Sequence, residues 1–305
     1  MKTRWLPAYL ALGTVWGCSF LFIKNGLEFL TPFGVAFGRC SLGALTLILI
    51  AKLRKIKLSR DPKIWGHLLV ISLLLNVFPG FLYAFAETKV TSILAGIINA
   101  VTPLMTVLAT LLIHRADKPK AIQLYGLAVG FIGVMIVMGV WNGLGTNPIL
   151  YVGALFLGVT CYGFSFPYSR RFVLPYKLEP TQLATIQLIC AAVILLPGYL
   201  IDGIAKDEYR LTPVISMLCL GIFGSGIAYI WNFQIIQQAG SAIASSVTYV
   251  TPVVAVIAGI LFLGEKLTWN EPVGALVVLF GAAIAQERIK LFGLRLPNAP
   301  RQNQN

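Results

Sequence analysis

The sequence predicts an all-α polytopic membrane protein, with ten transmembrane helices arranged as two inverted five-helix repeats. Three observations carry this expectation. The 305 residues are 57% hydrophobic and only 11% charged, with a mean hydropathy of +0.82, whereas soluble domains carry roughly 25% charged residues. The apolar residues fall into ten runs of about the length needed to cross a bilayer. The second half of the chain repeats the pattern of the first. This composition excludes a single soluble domain, a disordered chain, collagen and a disulfide-rich secreted scaffold.

The runs can be taken in order, against the roughly 20 apolar residues that span a hydrocarbon core of about 30 Å. The first, 6–26, follows Lys2 and Arg4, a charge pattern shared with signal peptides. Its apolar stretch is long, no small-residue cleavage site ends it and its pattern recurs later, so it is read as a retained helix. The second, 33–51, begins after the turn Leu30-Thr31-Pro32 and contains Arg39. The third and fourth, 64–86 and 91–113, carry polar residues at helical spacing. The fifth, 121–141, holds Gly126-x-x-x-Gly130, a spacing that lets helices pack closely. The sixth, 148–168, opens the second half and is followed by 180–201 and 211–235. The turn Gln237-Gln238-Ala239-Gly240 separates the eighth run from the ninth, 240–263, and the tenth is 271–286. The repeats therefore occupy 1–141 and 148–286, with a basic cytoplasmic tail at 287–305.

Positive charge sets the orientation. The chain has 24 Lys and Arg against 11 Asp and Glu, a net charge of +13. With the N-terminus inside, 18 of the basic residues fall on the inner segments and 5 on the outer ones, with Arg39 inside a span. That asymmetry places both termini in the cytoplasm. It also makes a nucleic-acid partner unnecessary, because the charge is dispersed over five short segments. Cys18, Cys40, Cys161, Cys190 and Cys219 lie in apolar runs without a CxxC pair, so neither disulfides nor a metal site are expected.

The repeat is legible residue by residue. Trp16-Gly17-x-Ser19-Phe20 with Lys24 recurs as Tyr162-Gly163-x-Ser165-Phe166 with Arg170, an offset of 146. Thr31-Pro32 matches Glu179-Pro180, Tyr83-x-Phe85 matches Trp231-x-Phe233, and Val101-Thr102-Pro103 matches Val250-Thr251-Pro252. Gly126 with Gly133 matches Gly274 with Gly281. The offset drifts only from 146 to 149. Since five is odd, the second copy must enter the membrane from the opposite side, an architecture that many secondary transporters use.

These residues also carry a family resemblance. The Trp16-Gly17-x-x-Phe20-x-x-x-Lys24 opening, Arg39, the paired Thr-Pro helices and Gly264-Glu265 resemble the EamA family of the drug/metabolite transporter superfamily. The resemblance covers about residues 6–286. It implies a ten-helix bundle with a central cavity, and transport, often export, of amino acids or related small metabolites. Exchange of nucleotide sugars or other metabolites is the alternative within the superfamily. One position departs: the second half has Gly264-Glu265 where the first has His114-Arg115-Ala116-Asp117, so the role of that acid is open.

Polar stripes nominate a cavity wall. Ser92, Gly96, Asn99, Pro103 and Thr106 share a helix face, as do Ser241, Ser245, Thr248 and Pro252 in the ninth run. Close helix packing and solute binding both fit these stripes. Asn76, Gly80, Tyr83 and Glu87 share a face of the third run, and in its counterpart Ser225, Tyr229 and Asn232 share one, with Trp231 next to it. The substrate-binding candidates are thus Asn76, Tyr83, Asn99, Thr102, Trp231, Asn232, Thr248, Thr251 and Arg39. Arg39 lies about 9 Å inside its span at 1.5 Å per residue. It either snorkels to the outer surface or faces a carboxylate, with Glu28 and Glu87 the nearest acids by depth. Lys24 and Arg170, at equivalent helix ends, and Glu87 are the gate or coupling candidates.

No zinc-protease, phosphate-loop or serine-hydrolase motif is present, since Gly163-Phe164-Ser165-Phe166-Pro167 lacks the last glycine. The expectation is therefore a transporter without cofactor or metal, not an enzyme. Its partners are a small-molecule substrate and the lipid bilayer, and a homodimer is allowed. A membrane enzyme or lipid-handling protein would need a polar catalytic cluster at one interface. An unselective channel would need a continuous polar lining.

Overall fold

Proline and short polar side chains start the helices. A computed structural model describes residues 5–113, 121–138, 149–204 and 210–285. Thr31 accepts a hydrogen bond from the Gly34 N–H ahead of Pro32. Asp61 does the same for Lys63 ahead of Pro62, and Thr91 for Leu94. Glu179 and Gln182 form a reciprocal capping box around Pro180. Such caps satisfy the orphan N–H groups of a first turn. The matched Thr31-Pro32 and Glu179-Pro180 pairs thus begin equivalent helices.

The ten helical segments of the described residues are α1 (Leu6–Gly26), α2 (Pro32–Leu53), α3 (Pro62–Glu87), α4 (Ser92–Ile113), α5 (Ala121–Met138), α6 (Ile149–Tyr176), α7 (Pro180–Asp202), α8 (Leu211–Ala239), α9 (Ser241–Leu263) and α10 (Asn270–Ala285). Eight are long and apolar enough to cross a membrane, while α5 and α10 are shorter apolar helices. Large apolar side chains such as Leu53, Ile201 and Phe262 are largely exposed, as a lipid-facing surface requires. The tail at 287–305, the basic residues Lys2, Arg4, Arg115, Lys118, Lys120 and Lys206, and the His114–Asp117 segment lie outside the described residues.

Four helices are interrupted at matched places. Leu73–Val77 of α3 and Leu220–Ile227 of α8 are wound as π-helix. In α3 this stretch leads into Pro79, which has no N–H to donate. α4 breaks between Asn99 and Thr102, just ahead of Pro103. α9 carries a 3₁₀ stretch at Ser246–Tyr249 ahead of Pro252. Regular α-helix is therefore interrupted just ahead of the paired Thr-Pro sequences in both repeats.

Packing between the halves is symmetric. α1 packs on α8 and α9, and α6 packs on the counterparts α3 and α4. α2 packs on α8 as α7 does on α3, while α2 meets α7 and α5 meets α10. Glycine sets the closest approaches. A Cβ on Gly17 would stand 2.5 Å from Val254 Cβ, and one on the matched Gly163 would stand 2.4 Å from Met105 Cβ. Between α5 and α10 the backbones themselves touch: a Cβ on Gly126 would lie 2.3 Å from Ala285 N, and one on Gly281 would lie 2.3 Å from Gly130 N. The glycines of the fifth and tenth runs therefore serve helix packing, as their spacing predicts.

Candidate functional site

A cavity of about 530 Å³, counting all space between atoms up to its mouth, lies among α1, α2, α3, α4, α6, α8 and α9. Both repeats build it. Trp16 and Phe20 of α1 face Tyr162 and Phe166 of α6, the residues related by the 146 offset. The glycine that follows each first aromatic lets its helix approach α9 or α4. The repeated aromatic-Gly-x-Ser-Phe pattern thus does two jobs: it closes the bundle and paves the cavity.

The aromatic rings are fixed by contacts across the wall. Trp16 Nε1 donates to Gly224 O at 3.2 Å, and its ring meets Tyr229 edge-on with centroids 6.1 Å apart. Tyr229 donates its hydroxyl to Leu75 O at 3.1 Å. Tyr83 donates to Asn99 Oδ1 at 3.2 Å, and its ring lies 5.7 Å from both Phe20 and Tyr162. The polar part of the lining is small and mostly neutral: Ser19, Asn99, Thr102 and Thr248. At the break in α4, Asn99 Nδ2 donates to Thr251 Oγ1 at 3.1 Å, and Thr102 Oγ1 donates to Asn99 O at 2.8 Å. Thr102 thereby satisfies a backbone carbonyl at the break, the condition for irregular backbone at membrane depth, while the Asn99–Thr251 bond ties the two broken helices together.

Arg39 is the one charge in the lining. It is 6% exposed, so it turns inward and does not snorkel to the outer surface. Its Nε donates to Ser225 Oγ at 3.0 Å, and no carboxylate pairs with it among the described residues. The equivalent residue of the second repeat, Gln187, donates from Nε2 to Asn76 Oδ1 at 2.5 Å. Each second helix thus bridges to the third helix of the other repeat.

Of the expected binding residues, Arg39, Tyr83, Asn99, Thr102 and Thr248 line the cavity. Thr251 supports Asn99 from behind. Asn76 is buried in the bridge to Gln187, one residue beyond the lining residue Leu75. The structure does not bring Trp231 or Asn232 to the cavity: Trp231 packs half-buried in a neighbouring apolar cluster, and Asn232 is fully buried with its amide unpartnered. Tyr229 takes the place expected of Trp231.

The gate candidates separate. Lys24 Nζ donates to the main-chain carbonyls of Glu87 at 2.6 Å and Val90 at 2.9 Å, capping the turn between α3 and α4. Glu87 is fully buried and both its carboxylate oxygens lack a hydrogen-bond partner among the described residues. Arg170 is exposed, and it is Arg171 that donates, from Nη1 to Ile113 O at 2.7 Å at the end of α4. The acid left open by the sequence, Glu265, caps α4: it accepts from Ser92 N and Oγ, both at 2.8 Å, and from Ile93 N at 3.0 Å. Gly264, at φ +63°, makes this possible by ending α9 in a left-handed turn that returns the Glu265 N–H to Gly259 O.

Sequence reasoning missed Trp16, Ser19, Phe20, Ile23, Leu75, Tyr162 and Phe166 as lining residues, and put Tyr229 on a polar face without naming it a binding candidate. The signal for five of them, Trp16, Ser19, Phe20, Tyr162 and Phe166, was the repeat itself, since a pattern held in both halves need not serve packing alone.

The fold and the cavity agree with what the chain is similar to. The model of the EamA-like transporter family matches twice, over residues 3–139 and 149–285. The chain belongs to the EamA-like transporter family. It is 27% identical over 294 residues to the inner membrane transporter YedA of Escherichia coli K12, covering 96% of this chain and 94% of that protein. It is 24% identical to the transporter YoaV of Bacillus subtilis, covering 89% and 93% of the two chains. It is also 24% identical to the protein PecM of Dickeya dadantii, covering 92% and 91%. A crystal structure at 19% identity superposes with a TM-score of 0.67, covering 95% of this chain and all of the other, which supports the fold. This EamA-family chain is a multi-pass membrane protein of a transporter family.

Proposed function

We propose that the chain is a secondary transporter of the inner membrane that moves a small polar metabolite, an amino acid or related compound, by alternating access. Export is the direction that the family resemblance favours. In this reading the chain crosses the membrane ten times, α5 and α10 included. Both termini are cytoplasmic and the two repeats are inverted. The observation that carries the reading is the cavity between the repeats, walled by matched residues of each and flanked by helices broken at matched places. A pair of inverted halves that rock about one central site exposes it to each side in turn.

Counterflow in proteoliposomes tests this, with a panel of amino acids, nucleosides and sugar conjugates. Saturable exchange with at least one class, lost in Asn99→Ala, is the expected result. Conductance without saturation would end the carrier reading. Accessibility tags placed in each loop test the topology separately, and an external N-terminus or another number of crossings would remove the inversion.

A further inference from the structure

We propose that the cavity is a receptor for small organic monoanions with a flat apolar body, aromatic monocarboxylates by chemical class, and that Arg39 reads their carboxylate. This rests on the transport reading and narrows it: an amino acid's related carboxylate, without the ammonium, is the better fit.

The argument starts with charge. Arg39 is more than nine-tenths buried, contributes to the lining and has no paired carboxylate among the described residues. Its Nε is committed to Ser225 Oγ, but no hydrogen bond from Nη1 or Nη2 is formed within the described residues. An ionisable group held at membrane depth without an ion-pair partner is expensive, and marks a ligand pathway by default. The two terminal nitrogens of a guanidinium form a planar fork that matches the two oxygens of a carboxylate. A single guanidinium balances a single negative charge, so a dianion would be left half neutralised.

The rest of the wall says what the carboxylate is attached to. Trp16, Phe20, Tyr83, Tyr162, Phe166 and Tyr229 surround the space. Tyr83 and Tyr229 have committed their hydroxyls elsewhere. What these two present to the space is ring surface, which favours offset or edge-on contact with another ring. No Asp or Glu is among the lining residues. The ammonium of an amino acid would therefore meet only neutral oxygens, next to the like charge of Arg39. Aromatic faces do attract cations, but a cation here would share its box with a guanidinium.

Three near-isosteric probes separate the possibilities on the purified wild-type chain: phenylacetate, phenylacetamide and 2-phenylethylamine, with L-phenylalanine as the zwitterion. Binding is read as a concentration-dependent rise in the thermal unfolding midpoint. Phenylacetate is expected to bind at least about tenfold more tightly than the amide or the amine, since only the anion forms a bidentate ion pair with the guanidinium. Arg39→Gln is expected to remove that preference, and Arg39→Lys to restore part of it. Equal binding of amide, amine and carboxylate overturns the inference, as does absence of phenylacetate binding or undiminished binding by Arg39→Gln. The wild-type ratios decide the matter even if a variant fails to fold. Counterflow of radiolabelled phenylacetate keeps the two readings apart. Binding without counterflow removes the carrier but leaves the anion receptor. Counterflow carried equally by all three probes removes the receptor but leaves the carrier.

Discussion

Arg39 of α2 and Gln187 of α7 occupy equivalent positions in the two repeats, and each sends a long polar side chain to the third helix of the other repeat. The bridges have the same architecture and different chemistry. Gln187 meets an amide, Asn76, in a fully buried neutral pair that lies outside the cavity lining. Arg39 meets a hydroxyl, Ser225, which takes one donor of the guanidinium and leaves the rest toward the cavity. A neutral amide pair can only hold two helices together. A guanidinium anchored at one nitrogen can hold them and still offer charge to a ligand. The symmetric scaffold thus carries an asymmetric site, as a receptor for an asymmetric solute needs.

Exchanging the two chemistries is the sharpest way to break the comparison. Arg39→Gln makes the first bridge resemble the second, and binding of phenylacetate should fall by about tenfold or more while the chain stays folded. Equilibrium binding checks the first part and the unfolding midpoint the second. Gln187→Leu should do the reverse. It leaves Asn76 buried without its partner, at a cost of about 1–3 kcal/mol in stability, with little change in ligand preference. Thermal unfolding of the single variants and of the pair with Asn76→Ala would show the coupling. Glu265→Gln weakens the cap of α4, and about 1 kcal/mol of stability should go with it. The smallest change belongs to Ser225→Ala. It removes the anchor of Arg39 but not its charge, and should lower stability by about 0.5 kcal/mol and weaken phenylacetate binding less than Arg39→Gln does.

Much of this was legible in the sequence because the repeat is a constraint that acts twice. The Thr-Pro pairs announce breaks in α4 and α9, since proline inside a span removes a backbone hydrogen bond. Gly126 and Gly281 announce backbone contact in the same way. The direction of individual side chains was harder to read. In a span that is apolar on every side, hydrophobic periodicity has little amplitude and does not fix the rotation of the helix about its axis. Arg39 was open between two readings for that reason. Trp231 was offered as the repeat counterpart of Tyr83, but Leu220–Ile227 of α8 is π-helical over eight residues where its counterpart in α3 runs for five. Each π turn takes up an extra residue, so the face presented after it changes, and Tyr229 points inward instead. Glu265 was beyond reach for another reason: its partners Ser92 and Ile93 lie about 170 residues away in the chain, and no local pattern reports a contact of that range.

The indole of Trp16 has a practical consequence. It sits in the cavity wall on a helix of the first repeat, and its N–H is held by a carbonyl in the π-helical stretch of the second. Its emission therefore depends both on what occupies the cavity and on how the two repeats are placed. The chain carries its own optical probe: the signal lost in Trp16→Phe isolates that probe from the five other tryptophans, and offers a dye-free test of the proposed filling of the cavity and rocking of the repeats.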